Sequence, residues 1–448
     1  VSKSAITFNV SAPLPSRVVI TSNAARARTQ RSCLRFTSVL LLLCLLLQRF
    51  GFPLGEQSVS IVGPLGLALA GWGLATRTLA MHRQRTALFL GLVGLAVIGA
   101  AWHAMTPNAY GTPPSMKSLI QFLALTGFGC LSFAEAVDEA AFFRIFSNLL
   151  ALIALAGILQ FVAQFAGLSI FRFGDFLPAS ILFEHGYNLE IPVGIGSLLK
   201  ANGFFLVEPS VFSQVLAVGI MIEILTSRRP ARLALFAIAL LLSFSGTGLI
   251  VLAVFLATAG LRVGRRAAVA IVGSAVALVI MVAAVVILVP AVGHIFQDRL
   301  AEFSDPKSSA FTRFVTPFWL AGDVLARTPS ALLAGIGASV SEHLTVPYEY
   351  AINTPVKIFL EYGAPLLAVY VALFCVAART VLQGALFLPC MVLFFFTGGY
   401  QQFAPLLFPI LLLVAVARLA PSAGGTPQGN RPRAEVPKGD VTVPASAA

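Results

Sequence analysis

Three stretches of this chain concentrate the side chains able to do chemistry, and each adjoins an apolar run. The densest, Lys200-Ala-Asn202-Gly203-Phe-Phe-Leu-Val-Glu208-Pro209-Ser210, sets a cation, an amide and a carboxylate at the mouth of a long apolar segment. The pattern puts Glu208 about one turn inside the helix, where an ionisable group costs roughly 2.5–3.5 kcal/mol at the bilayer centre and less near its surface. Glu208 is therefore a candidate general base or hydroxyl ligand facing a wet cavity, and an interfacial helix cap is the plainer alternative.

The second stretch is Phe311-Thr-Arg313-Phe-Val-Thr316-Pro317-Phe-Trp319. Arg313 either snorkels beside its aromatic neighbours on a surface helix or binds an anionic group such as a diphosphate, for which Arg is the better bidentate donor. The third runs Tyr348-Glu-Tyr350-Ala-Ile352-Asn353-Thr354-Pro355-Val-Lys357-Ile-Phe-Leu-Glu361-Tyr362-Gly363. Lys357 and Glu361 are four apart and share a helix face, as a structural pair or a catalytic one. His343, ten residues before Asn353, titrates near neutrality, although a solvated loop histidine is the commoner case.

Motifs of soluble enzymes are absent: no phosphate-binding G-x-x-x-x-G-K-[ST] loop, no H-E-x-x-H, no G-x-S-x-G and no paired Cys-x-x-Cys. The five cysteines show no paired spacing. No metal and no cofactor is expected.

The elements that must position these residues are membrane helices. With 58% hydrophobic and 11% charged residues and a mean hydropathy of +0.90, the chain is far from the roughly 25% charged composition of soluble domains. At about 20 apolar residues per crossing, twelve spans are expected near 34–50, 58–79, 86–105, 116–134, 145–167, 204–226, 232–245, 247–261, 267–290, 353–378, 380–399 and 402–419. The fold class is thus all-α and polytopic.

The stretch 232–261 is too long for one span and short for two, and Ser243-Phe244-Ser245-Gly246-Thr247-Gly248 breaks its centre. Basic residues flank it on both sides, so both flanks are expected inside, which requires two short or re-entrant helices.

Residues 1–36 read as a basic cytoplasmic tail, 37–419 as the membrane domain, and 420–448, rich in Pro, Gly, Ala, Ser and Thr, as a disordered cytoplasmic tail. Two outside loops, 168–203 and 291–352, exceed the length a connection needs and are expected to hold the chemistry. Short surface helices are expected in the larger one, for example over 311–327.

The net charge of +12 is an orientation signal on this topology, with no call for nucleic acid. The inside holds 21 Lys and Arg against six acids, the outside nine against twelve. The nine outside cations, among them Arg172, Lys200, Arg299 and Arg313, are the pool from which any anion site must be drawn.

In this arrangement the chain resembles the family of O-antigen polymerases and ligases, the Wzy and WaaL type. Three segments carry the likeness, over roughly residues 195–365. A basic residue, Gly and an aromatic followed by E-P-S is matched by Lys200, Gly203, Phe204 and Glu208-Pro209-Ser210. An apolar helix ending in Ser-x-Ser-Arg-Thr-Gly is matched by Ser243 to Gly248. An Arg-bearing helix, a Gly-x-Gly turn, His-Asn and Glu-x-Gly are matched by Arg313, Gly335-Ile336-Gly337, Asn353 and Glu361-Tyr362-Gly363.

Three departures stand out: Lys200 and Gly246 replace family arginines, and Ile352 replaces the His before Asn353. The last two favour the polymerase branch over the ligase branch, and the E-P-S and Glu-Tyr-Gly forms look most like exopolysaccharide systems such as xanthan.

The resemblance implies an inverting, metal-independent glycosyltransferase in the bacterial inner membrane, with both termini cytoplasmic. It implies an undecaprenyl-diphosphate-linked oligosaccharide as substrate and polymerisation of repeat units at the periplasmic face. Flippase and chain-length or export proteins of the same pathway are the implied partners, besides the lipid bilayer.

On that reading Arg313 and Lys200, with Arg172 and Arg299 in reserve, stabilise the departing diphosphate. Glu208 is the candidate base, His343 a secondary one, and Asn353, Lys357 and Glu361 complete the substrate contacts. An O-antigen-type ligase is the alternative within the class, and a lipid-linked oligosaccharide flippase or twelve-span transporter the alternative outside it.

Overall fold

The computed structural model describes residues 23–54, 57–106, 109–134, 139–168, 173, 177–183, 190–194, 197–226, 229–259, 273, 305–306, 308–379 and 386–396. Helices dominate, as lipid demands, because each backbone amide and carbonyl must be satisfied away from water. The order is α1 (Asn23–Leu46), β1 (Gly51–Leu54), β2 (Gln57–Ser60), α2 (Val62–Ala75), β3 (Leu79–Met81), α3 (Arg83–Met105), α4 (Met116–Gly127), β4 (Leu131–Phe133) and α5 (Glu139–Ala163). It continues with α6 (Pro209–Leu225), α7 (Pro230–Leu242), α8 (Gly246–Ala259), α9 (Ser309–Phe314), α10 (Thr316–Arg327), α11 (Ala331–Ala334), α12 (Thr354–Arg379) and α13 (Phe387–Phe395).

Among the described residues, four helices are long and apolar enough to cross a membrane: Thr29–Leu46, Arg83–Met105, Ala141–Ala166 and Thr354–Val376. Five more apolar helices, over Val62–Ala75, Met116–Cys130, Pro209–Leu225, Pro230–Leu242 and Gly246–Thr258, are shorter. The expected segments 267–290 and 402–419 lie outside the described residues, apart from residue 273, and 380–399 is described only over 386–396. The protein is a helical membrane protein whose exposed apolar side chains include Leu90, Val97, Ile98 and Trp102 on α3.

Several expected boundaries move. Helix α1 begins at Asn23, inside the segment read as a tail, because Ala24, Ala25, Arg26, Ala27 and Arg28 are strong helix formers. The connection after α1 is a hairpin in which Gly51 pairs with Ser60. It consumes the start of the expected span 58–79, leaving α2 with 14 residues, about 21 Å at 1.5 Å per residue. The expected span 116–134 ends as a strand, β4, paired antiparallel with β3. Short helices do form over the expected stretch 311–327, as α9 and α10.

The core centres on α6, in which every residue from Val211 to Ile224 is buried; it packs among α5, α7 and α8. The breaker run separates α7 from α8, with Phe244 in the left-handed region at φ +45°.

Helix α12 is itself broken: Gly363 has φ +84° and ψ 170°. The Glu361 carbonyl would normally bond the amide four residues on, which is Pro365 and has no N–H. The Gly337 amide takes that carbonyl at 3.1 Å, and the Ile336 amide takes the Leu360 carbonyl at 2.7 Å. The approach leaves no room for side chains. A Cβ on Gly363 would lie 2.3 Å from the Leu333 carbonyl oxygen, and one on Gly335 would lie 2.3 Å from the Glu361 carbonyl.

Candidate active site

The first chemical stretch and the breaker run 243–248 form one network. Glu208 is the residue preceding α6, in extended backbone at φ −149°. The helix starts at Pro209, whose fixed φ and missing N–H suit a first turn, so Glu208 stands at the helix mouth and not one turn inside. Its side chain makes no capping bond and instead accepts from the Ser210 hydroxyl at 2.8 Å.

From Ser210 the network crosses to α8. The Ser213 hydroxyl donates to the Ser210 carbonyl at 2.7 Å and lies 3.1 Å from the Thr247 hydroxyl, which is in turn 3.1 Å from that of Ser245. The Gly248 amide donates to Ser213 Oγ at 3.1 Å. The two motifs, more than thirty residues apart in sequence, thus meet at the paired starts of α6 and α8.

The segment entering Glu208 is built into the protein. Lys200 is 7% exposed, and its backbone amide bonds the Ile191 carbonyl at 2.9 Å. Asn202 exchanges two bonds with Gln160 of α5, at 2.9 and 3.0 Å, and accepts the Phe204 amide at 3.0 Å. In these bonds the Asn202 Oδ1 accepts twice and its backbone amide donates once, while its buried Nδ2 has no hydrogen-bond partner among the described residues. Phe204 sits at φ +64°.

Arg49 holds that turn. It is 0% exposed, donates to the Phe204 carbonyl at 2.7 Å and lies over the Phe173 ring at 4.3 Å, while Phe173 meets Phe204 edge-on at 4.5 Å. Sequence reasoning counted Arg49 among the nine outside cations but gave it no role. Its place at the end of an apolar run was the available signal, since a cation there needs a partner. Beside Phe204, along Ala156, Leu159, Val162 and Ala163 of α5, runs an apolar groove of about 380 Å³.

The third stretch forms a second cluster on other elements. Lys357 bonds Glu361 at 3.0 Å and Glu342 at 2.5 Å, and the Ser341 hydroxyl donates to Glu361 at 2.6 Å. Glu361 is 2% exposed, so the satisfied structural pair is what the geometry displays. It also borders a cleft of about 210 Å³ with His103, Ser115 and Tyr362. Burial opposes ionisation of Glu342, but the Lys357 ammonium, the Ser339 hydroxyl and His343 hold its carboxyl below the ordinary 4.5. Asn353 caps α12 by accepting the Val356 amide at 3.1 Å.

Arg313 ends α9, half-buried, with no ion pair among the described residues. His343 is exposed. Neither is bonded into the Glu208 network. Arg172 and Arg299 lie outside the described residues. Among the described residues no group of three His, Cys, Asp or Glu side chains is placed to hold a metal.

The described residues thus form a helical membrane protein with a carboxylate–hydroxyl network at two helix mouths and one buried cation, Lys200, on the segment leading to it. The WcaD colanic acid polymerase family matches residues 36–418, and the chain belongs to that family. It is a polysaccharide polymerase of the kind used in exopolysaccharide synthesis. Comparisons with curated proteins and with solved structures gave no match.

Proposed function

We propose that this polymerase joins oligosaccharide repeat units carried on undecaprenyl diphosphate, at the periplasmic face of the inner membrane, by inverting transfer without a metal. The observation that carries the reading is the union of Glu208-Pro209-Ser210 with Ser245-Gly246-Thr247-Gly248 in one network, entered by a segment bearing Lys200. The apolar groove beside Phe204 supplies a surface for an isoprenoid chain next to that segment.

In the reaction, an acceptor hydroxyl oxygen attacks C1 of the donor sugar opposite the diphosphate. The O–C1 bond forms as the bond from C1 to the diphosphate oxygen breaks, and the electron pair leaves on the diphosphate. Glu208 takes the hydroxyl proton, with Ser210 fixing its second oxygen. Lys200 and Arg313 stabilise the leaving charge, with Arg172 and Arg299 in support, where fixed cations in a water-poor site act most strongly. Asn353, Lys357 and Glu361 serve the acceptor side chiefly by holding the broken helix.

The test is the pair Lys200→Ala and Arg313→Ala. Both should abolish polymer while the protein stays in the membrane and single repeat units accumulate on the lipid carrier. Normal polymer from both variants would refute the assignment.

A further inference from the structure

Trp319 of α10 is 49% exposed yet fixed in place. Its ring meets Phe311 edge-on at 5.0 Å and Tyr348 edge-on at 5.9 Å. One helical turn along the same face, Asp323 accepts the Tyr348 hydroxyl on Oδ2 at 2.6 Å; its Oδ1 accepts no bond among the described residues. Burial and the Asp323 carboxylate push the Tyr348 phenol up to about 12, so it stays a donor at physiological pH. Phe311, Trp319, Asp323 and Tyr348 come from α9, α10 and the loop before α12, elements other than those carrying Glu208.

We propose that Trp319, Asp323 and Tyr348 form a saccharide-holding subsite that grips the glycan chain away from the bond being made. A pyranose ring offers an apolar C–H face to an indole and equatorial hydroxyls to a neighbouring carboxylate, and this surface pairs those two features. A lipid surface would use the exposed Trp319 and Phe318 but has no need of the ordered Tyr348–Asp323 pair at their edge. An aromatic already held by its neighbours loses little freedom on binding, which is how such rings yield affinity. The subsite rests on the reading that glycan is assembled on the face bearing this loop, and it would favour long acceptors over single repeat units.

The experiment uses the full chain in nanodiscs and two acceptors, a single lipid-linked repeat and one several repeats long. The wild type should use the long acceptor several-fold better, Trp319→Leu should bring the ratio close to one, and Trp319→Tyr should restore it. A structural defect would slow both acceptors and leave the ratio unchanged, as would a purely lipid-anchoring Trp319, for which Leu is an adequate substitute; an unchanged ratio overturns the proposal. Tyr348→Phe, which removes one hydroxyl and keeps the ring, should lower the ratio partway, and a wild-type ratio there removes the Asp323 pair from it.

Binding is read separately. With Trp72 and Trp102 replaced by Phe, Trp319 is the sole tryptophan of three, and fragments from mild acid hydrolysis of the polymer should shift its fluorescence. Tyr348→Phe should weaken that titration by roughly tenfold. If the wild type joins neither acceptor, the polymerisation reading fails while the titration still decides the subsite; absence of any shift overturns the subsite alone.

Discussion

Ser213 and Gly248 meet across the α6–α8 contact so closely that the Gly248 amide bonds Ser213 Oγ at 3.1 Å. A Cβ on Gly248 would stand 2.3 Å from the Ser213 carbonyl oxygen. Backbone has no easy way to yield there, so Gly248→Ala should destabilise the protein by about 1–3 kcal/mol, the usual cost of overpacking. Thermal unfolding in detergent checks this, and an unchanged midpoint would mean the two helices can separate freely.

Glu208→Gln keeps the shape of the site and the acceptor oxygen for Ser210, but removes the base. Polymerisation should fall by about 10²–10⁴-fold, the typical contribution of a positioned base, with abundance unaltered. Full activity in this variant removes Glu208 as the base. Ser210→Ala, which frees the carboxylate to rotate, should cost less.

Lys357→Met leaves Glu361 buried beside a hydroxyl alone, and breaking such a buried pair costs about 3–5 kcal/mol. Glu342→Gln should cost far less, because Glu342 is 44% exposed and solvent screens it. The comparison is a pair of unfolding curves.

Because the folded Glu342 carboxyl lies below its ordinary 4.5, its contribution to stability is complete above that value and is lost as pH falls through the lower folded one. Hydrogen exchange of residues 339–345 should therefore accelerate on acidification below the ordinary value. The acceleration should be absent in Glu342→Gln, and its persistence there would assign it to another group.

Arg49→Gln should sharply reduce polymer, since the Phe204 carbonyl loses its buried cation and the turn leading to Glu208 relaxes. Because one turn carries both effects, combining Arg49→Gln with Phe204→Ala should be less than additive. Full additivity would show that Arg49 acts elsewhere.

Much of this was legible in the chain before its structure. The breaker run at 243–248 announced two short helices, and the pairing of Lys357 with Glu361 followed from a spacing of four. What escaped were features set by contacts distant in sequence. Glu208 seemed to lie inside its helix because Phe204 to Val207 are apolar, yet Phe204 adopts a left-handed turn and the helix waits for Pro209. The break in α12 was half visible in Gly363 and Pro365, but the Gly337 amide that receives the orphaned carbonyl comes from a turn over twenty residues earlier. Asn353, expected to touch substrate, also caps α12 through its Oδ1, a role its place before Thr354-Pro355 permitted.

The Arg49–Phe204 bond bears on how the protein is made. The two residues are 155 positions apart, so at typical synthesis rates Phe204 follows Arg49 out of the ribosome by roughly eight to thirty seconds. Through that interval Arg49, three residues beyond the end of α1, lacks the carbonyl that later receives its guanidinium. The turn at Arg49 can therefore take its final form only once the segment leading to α6 has been made.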